Sequence, residues 1–202
     1  MINVGTPDEP TVESVRDYLR EFLLDPDVID APYLIRQILV RGIILRVRPG
    51  KVAPLYEKIW MDEGSPLRVY SERITESMSK HVDGIHIEHA MRYGNPSIRK
   101  GLDNLREAGV TELLLLPMFP HHAQATTETA LKHAYKEMKA MSWQPKTIEM
   151  GHFPTDENYI NPLAKSIESH LTEGTHLLYS YHGLPVSLSL IHISEPTRLL
   201  RI

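Results

Sequence analysis

Short apolar runs alternate along this chain with longer segments whose apolar residues recur about every 3.6 positions. The runs at residues 2–4, 85–91, 112–118, 147–150 and 176–181 have the length of strands, and amphipathic segments of helical length lie between them. This alternation is typical of βαβ units, which build a parallel sheet with helices on both faces. We therefore expect an α/β fold.

One strand and several helices can be predicted in more detail. Residues 113–116 are four consecutive leucines, which predicts a strand that is buried on both faces. Thr11 is expected to cap a first helix, and Ser65 with Pro66 to begin another. Residues 31–48 predict an amphipathic helix or helical hairpin, with arginines interleaved among apolar residues. This segment either packs on the core, with its arginine stems reaching to water, or forms an apolar lip that touches an anionic membrane surface.

Composition excludes several classes of protein. The 202 residues allow one to two domains, and 42% hydrophobic with 24% charged residues is typical of an ordered globular chain. The formal net charge of −4 argues against a nucleic-acid partner. Cysteine is absent, which excludes disulfides, thiolate metal sites and a catalytic thiol. No signal peptide precedes the first strand, so we expect a cytoplasmic protein.

The last residues are not expected to belong to the fold. Residues 188–198 (LSLIHISEPTR) resemble the translation of a sequencing-library adapter, and the alternative is a genuine strand with a polar end. We therefore treat 188–202 as an artefact and expect the natural protein to continue past Val186. The remaining chain is divided into a first domain, 1–150, and a crossover with the truncated start of a second, 151–187.

Four predicted strands end in conspicuous residues. They are residues 3–7 (NVGTP), 91–94 (MRYG), 117–122 (PMFPHH) and 180–185 (SYHGLP). The carboxyl ends of parallel strands meet at one edge of a sheet, where ligands bind in open α/β folds. The sequence contains no glycine-rich dinucleotide motif, phosphate-binding loop, serine nucleophile elbow or H-E-x-x-H zinc motif. The residues at this edge therefore do not indicate a nucleotide or protease site.

In their order and spacing, these motifs resemble the ferrochelatases. The resemblance covers the chain to about Val186 and is carried by residues 3–7, 15–26, 56–67, 91–94, 117–120 and 180–185. It implies the chelatase fold, with two Rossmann-like halves whose parallel sheets have helices on both faces. This chain would comprise the first half and the start of the second.

The resemblance also implies an activity. Ferrochelatases are lyases that insert Fe²⁺, a substrate, into protoporphyrin IX in the last step of haem biosynthesis, and they require no prosthetic group for it. The family's C-terminal region, with a catalytic glutamate, has no counterpart here, so we expect the truncated chain itself to be inactive. Val4 stands where some relatives have an iron-binding tyrosine, which favours protoporphyrin over coproporphyrin as the substrate.

The resemblance assigns the chemistry to His182, in the 180–185 motif. Porphyrin metallation requires loss of two pyrrole protons and delivery of a partly dehydrated metal ion. A largely neutral imidazole suits either task, so His182 is expected to be the central proton acceptor or the iron ligand. From spacing alone, a packed structural histidine at a strand end is the alternative.

Further residues match family positions around the macrocycle: Arg92, Tyr93, Tyr56, Ser65 and His121. Arg92 with Tyr93 is expected to contact a propionate or to line the metal's approach, the alternative for Arg92 being an ion pair with a surface carboxylate. For Tyr56 the alternative is packing in the core. His121 and its neighbour His122 cannot point the same way in an extended segment, so at most one faces the pocket.

Two other functions remain open. The chain could come from a chelatase of the same fold that inserts cobalt or nickel, or that acts on coproporphyrin or another tetrapyrrole. It could also be a porphyrin-binding module without catalysis. The metal that the protein prefers in an insertion assay distinguishes the first alternative from a ferrochelatase. Porphyrin binding without metallation identifies the second.

Overall fold

The computed structural model describes residues 1–183. In that part of the chain, short strands alternate with helices, as the sequence predicts. The strands are β1 (Ile2–Gly5), β2 (Ala90–Tyr93), β3 (Glu112–Leu115) and β4 (Lys146–Glu149). The α-helices are α1 (Val12–Leu23), α2 (Tyr33–Gln37), α3 (Leu45–Ile59), α4 (Pro66–His81), α5 (Ile98–Glu107), α6 (Thr129–Ala140) and α7 (Glu157–Glu168), and π-helical turns cover Ile38–Ile44 and Gln124–Glu128.

All four strands run parallel. β1 pairs with β2, Ile2 opposite Ala90, and β3 pairs with β4, Leu115 opposite Glu149. A parallel bridge between Ile2 and Pro117 joins the two pairs, so the strand order is β2-β1-β3-β4. The order reverses between β1 and β3, since the chain moves from β1 to one side and later returns to the other. This is the switch point at which open α/β sheets bind ligands.

Helices pack on the sheet according to the direction of each crossover. Right-handed crossovers place the helices between β1 and β2 on one face, and α5 and α6 on the other. α5 and α6 pack together over a core of buried residues from β1, β2 and β3, which includes Ile2, Ala90 and Leu115. A second core joins α1 to α3 through Val15, Leu19 and other buried residues. These contacts confirm a mixed α/β architecture.

The predicted helix starts are confirmed by their capping hydrogen bonds. The Thr11 hydroxyl accepts from the Ser14 amide at 3.3 Å, and the Ser65 hydroxyl accepts from the Arg68 amide at 3.3 Å. Pro66 is the first residue of α4, where its missing N–H costs nothing. Of the predicted segment 31–48, residues 33–48 are helical, within a continuous helical stretch that extends from α2 through α3.

The prediction that residues 113–116 are buried on both faces is wrong. Leu113 and Leu115 are buried under α5 and α6, whereas Leu114 is 53% exposed on the opposite face of β3. Among the helices of the β1–β2 crossover, α1 packs against β2 and α4 against β1. The four leucines therefore make both faces of β3 apolar, and α5 and α6 cover only the face that carries Leu113 and Leu115.

Two predicted strands also differ. Residues 176–181 form no strand, because within the described part of the chain their backbone has no hydrogen-bonded neighbour. In the predicted strand 85–91, hydrogen-bonded pairing with β1 begins only at Ala90. The reason is that β1 is four residues long and its first residue, Ile2, lies opposite Ala90. The residues that follow Gly183, including the expected adapter segment 188–202, lie outside the described residues.

Candidate functional site

The carboxyl ends of the four strands form one rim. β1 ends at Gly5, β2 at Tyr93, β3 at Leu115 and β4 at Glu149, and their parallel arrangement brings these ends to the same edge. The 91–94 and 117–122 motifs follow β2 and β3 as the sequence predicts. The rim at the β1–β3 switch point is therefore the candidate site.

Two glycines allow the ends of β1 and β2 to come into close contact. Gly5 and Gly94 have φ angles of +113° and +83°. A Cβ atom on Gly5 would lie 1.8 Å from the Tyr93 carbonyl oxygen, and one on Gly94 would lie 2.7 Å from that of Thr6. No side chain fits either position, so the rim at β1 and β2 depends on glycine at both.

Arg92 and Tyr93 converge on a carboxylate that the sequence analysis did not single out. Arg92 forms an ion pair with Asp25, and its Nε donates to the Thr129 hydroxyl at 2.8 Å. The Tyr93 hydroxyl donates to Asp25 Oδ2 at 2.8 Å, and so does that of Thr129, at 2.7 Å. We call Asp25, Arg92, Tyr93 and Thr129 the Asp25 cluster.

Within this cluster Tyr93 is enclosed and Arg92 is paired, while their expected roles toward a substrate stay predictions. Tyr93 is 0% exposed and its ring meets Phe22 edge to face at 5.1 Å, so its side chain is enclosed within the fold. The Arg92 guanidinium lies over the Tyr93 ring at 4.3 Å and is committed to Asp25, which is only 7% exposed. Arg92 is thus paired with a carboxylate, as in the alternative interpretation, but with a buried one.

The Asp25 cluster stays charged despite its burial. Burial acts to raise the pKa of the Asp25 carboxyl, but hydrogen bonds from Thr129, the Asp27 amide and Tyr93, with the charge of Arg92, outweigh it and hold this pKa below its usual value. Beside the cluster, burial and then the charge of Arg92 lower the pKa of His133. Both effects favour an ionised Asp25–Arg92 pair and a neutral His133.

The cluster lies at one wall of an open cleft of about 640 Å³ between α1 and α6. Its lining holds as many cationic residues as acidic ones: Arg20, Arg92, Lys132 and Lys136 against Asp17, Glu21, Asp25 and Asp27. This balance of charge does not favour an anion over a cation.

The adjacent histidines after β3 have different partners. The His121 ring meets the Tyr181 ring edge to face at 6.0 Å, and Tyr181 stacks on Tyr179 at 6.4 Å. His122 Nε2 lies 3.4 Å from Glu128 Oε1, and its ring lies 6.4 Å from that of His152. The two side chains thus diverge as expected, and His121 is the one that contacts the segment preceding His182.

His182 follows directly on this contact. Its side chain is exposed and forms no hydrogen bond or ion pair with a carboxylate within residues 1–183. No group of three or more histidine, aspartate or glutamate side chains in that range could hold a metal ion. Leu184 and Pro185, the last residues of the motif, lie outside the described residues.

Tyr56 and Ser65 have clear packing and capping roles. Ser65 is buried at the start of α4, where its hydroxyl caps the helix. Tyr56 lies half-buried in α3 against the α1–α3 core, its ring edge to face with Trp60 at 6.4 Å, and burial raises its pKa. Neither residue joins the Asp25 cluster or the histidines after β3.

Asp25 and Thr129 are the site residues that sequence reasoning missed. Asp25 is followed by Pro26, a pair that is typical of the end of a helix and by itself indicates no more than that. Its partners Arg92 and Thr129 lie 67 and 104 residues away, and no local pattern links such positions. An aspartate before a proline at the end of a predicted helix, shortly before an apolar segment, is the one sequence signal that points to Asp25.

An apolar segment emerges next to this cluster. Residues 33–47, which we call the apolar segment, expose large side chains that include Tyr33, Leu34 and Ile38, with Leu34 67% exposed. Arg41 and Arg46 are exposed among them. Within residues 1–183, no helix has the length and apolarity needed to cross a membrane. The segment is therefore a surface feature with apolar and cationic residues together.

Comparison with known proteins agrees with this architecture. The ferrochelatase family model matches residues 1–191. Ferrochelatases from Coxiella burnetii strains CbuG_Q212 and RSA 493 are each 44% identical over 193 residues, covering 92% of this chain and 52% of the relative. The chain thus spans about half the length of the curated relatives it matches. Since the family match extends over nearly the whole sequence, the chain belongs to the ferrochelatase family.

Proposed function

We propose that the protein carrying this chain inserts ferrous iron into protoporphyrin IX to form protohaem. The observation that carries the proposal is the contact between His121 and Tyr181, within a chain of this family. It brings the residue before His182 against the loop that follows β3, beside the switch point. A histidine at that rim can reach a ligand bound across the strand ends.

The chemistry requires a group that accepts protons at the centre of the ring. Insertion forms four iron–nitrogen bonds and releases the two pyrrole N–H protons, so charge and atoms balance without an oxidant. His182, as a neutral imidazole, would take one of these protons or bind the entering iron. Its exposed side chain, with no carboxylate partner in the described residues, is accessible for either role.

The other predicted site residues divide into two groups in this proposal. His121 and Arg92 would contact the macrocycle or its propionates, since His121 lies at the rim and Arg92 at the cleft. Tyr93, Tyr56 and Ser65 would support the site from within the fold, because each is buried or packed.

We also propose that the apolar segment forms a lip of the porphyrin site and contacts anionic membrane surface. Porphyrins are flat and largely apolar with anionic propionates, and the segment presents apolar side chains beside arginines. The same composition favours a peripheral position on an anionic bilayer.

Metal insertion into porphyrin tests the proposal. The full-length protein is mixed with protoporphyrin IX or coproporphyrin and with Fe²⁺, Co²⁺, Ni²⁺ or Zn²⁺, and metallation is followed by the change from the absorbance spectrum of the metal-free porphyrin to that of the metalloporphyrin. We expect insertion of iron into protoporphyrin. Insertion of cobalt or nickel without iron would instead assign another tetrapyrrole chelatase, and binding without insertion a porphyrin-binding module.

A further inference from the structure

We infer that Asp25 is a positioning residue for the porphyrin site, which it serves by fixing the apolar segment relative to the rim. The inference rests on the proposed function, because it takes the apolar segment as a wall of that site. Asp25 lies just after α1, and only residues 26–32 separate it from α2, where the apolar segment begins. Asp25 therefore lies at the junction between the α1–α3 core and the apolar segment.

The Asp25 carboxylate joins three separate parts of the fold. Oδ2 accepts from Arg92 and Tyr93 at the end of β2 and from Thr129 at the start of α6. Oδ1 accepts from the amide of Asp27 at 2.8 Å. Three donors thus converge on Oδ2 and one on Oδ1. The end of α1 is thereby held to the rim by a buried charge with four hydrogen-bond donors around it.

The link from Asp25 to the apolar segment is held at further points. Asp27 Oδ1 accepts from Gln124 Nε2 at 3.0 Å and from Lys132 Nζ at 2.9 Å. On the other side, Arg36 Nη1 donates to the carbonyl oxygen of Ala31 at 2.9 Å. Since both ends of residues 25–31 are tied, displacement of Asp25 is transmitted to the start of the apolar segment.

A purely structural role would produce a different result from a positioning role. If Asp25 only stabilises the fold, its loss lowers stability, and the molecules that remain folded bind porphyrin normally. If it positions the apolar segment, folded molecules bind porphyrin more weakly and expose the segment to protease. Binding and proteolysis measured below the unfolding transition therefore separate the two roles.

The test compares Asp25→Asn with milder variants and a remote control, in the 202-residue chain. Tyr93→Phe and Thr129→Val each remove one donor to Asp25 without leaving a buried charge unpaired, so they serve if Asp25→Asn does not fold. Leu102→Ala weakens the α5–α6 core, away from the cluster. Each protein is titrated with protoporphyrin IX by absorbance and digested briefly with chymotrypsin, which cleaves after exposed Tyr33 and Leu34.

We expect Asp25→Asn to raise the Kd for protoporphyrin about tenfold, roughly the effect of one lost hydrogen bond to a charged group. Cleavage in the apolar segment should accelerate in parallel, with smaller effects for the two milder variants and none for Leu102→Ala. An unchanged Kd and unchanged cleavage in the folded cluster variants overturn the inference, as does an equal effect of Leu102→Ala.

Failure of the proposed function is recognised separately. If the unmodified chain shows no saturable porphyrin binding, the lip proposal fails. The cleavage rates then decide whether Asp25 holds the segment: faster cleavage of Asp25→Asn supports that role, and equal cleavage contradicts it.

Discussion

At the scale of single residues, one buried carboxylate, Asp25, joins the end of α1 to β2 and α6. The resemblance singled out Arg92 and Tyr93, and the structure shows that both are bound to Asp25. Sequence reasoning could identify the two because they stand in a motif at a strand end. It could not identify their partner, because tertiary contacts across 67 residues leave no periodicity in a single sequence. The substrate roles of the individual residues stay predictions.

Acidification should reveal the charge on Asp25. Its pKa is lowered in the folded chain, whereas an unfolded aspartate titrates near pH 3.9. The carboxylate therefore stabilises the fold above about pH 4, and this stabilisation is lost as the pH falls through its lower folded pKa. Urea unfolding between about pH 6 and about pH 3 should show a steeper loss of stability in the unmodified chain than in Asp25→Asn. Parallel profiles for the two proteins would contradict this account.

At the scale of elements, helices were predicted better than strands. Capping residues such as Thr11 and Ser65 are local signals, and both cap as expected. A strand depends on a neighbour elsewhere in the chain, so residues 176–181 have strand-like composition without being paired in the described structure. The prediction that β3 is buried on both faces is wrong for the same reason, since leucine composition does not reveal which face has a helix packed against it.

Adjacent leucines of β3 provide a matched test of that asymmetry. Leu115 is buried beneath α5 and α6, and Leu114 points away from them, half exposed. Leu115→Ala should lower the free energy of unfolding by about 2–5 kcal/mol, the usual cost of truncating a buried leucine. Leu114→Ala should cost less than about 1 kcal/mol. Equal losses in chemical denaturation would mean that the second face of β3 is also packed.

Sedimentation with vesicles tests the apolar segment. We expect the chain to sediment with vesicles containing phosphatidylserine at low ionic strength and to be released by salt, because arginine attraction is screened. Replacing Leu34 and Ile38 by serine should reduce binding several-fold, by loss of apolar area. Ile85→Ser is the control, since Ile85 is similarly exposed but lies outside the segment. Binding that is equal in all three proteins would exclude a specific role for the segment.

At the scale of the whole molecule, the described chain is one parallel sheet with helices packed on it. The strand order places the switch point between β1 and β3, and His121, in the loop that follows β3, contacts Tyr181. The chain spans about half the length of its relatives, and within residues 1–183 His182 has no carboxylate partner. We propose that this chain binds protoporphyrin without inserting metal at an appreciable rate. The division of domains at residue 150 stays a prediction.

The most direct test of the central claim replaces the histidine at position 182 in the full-length protein. His182→Ala should reduce the rate of iron insertion by about 10²–10⁴-fold, the usual contribution of a positioned general base. Protoporphyrin binding by absorbance titration should remain, and His81→Ala, at an exposed histidine on α4, should insert iron normally. Iron insertion by His182→Ala at the rate of the unmodified protein would contradict the account.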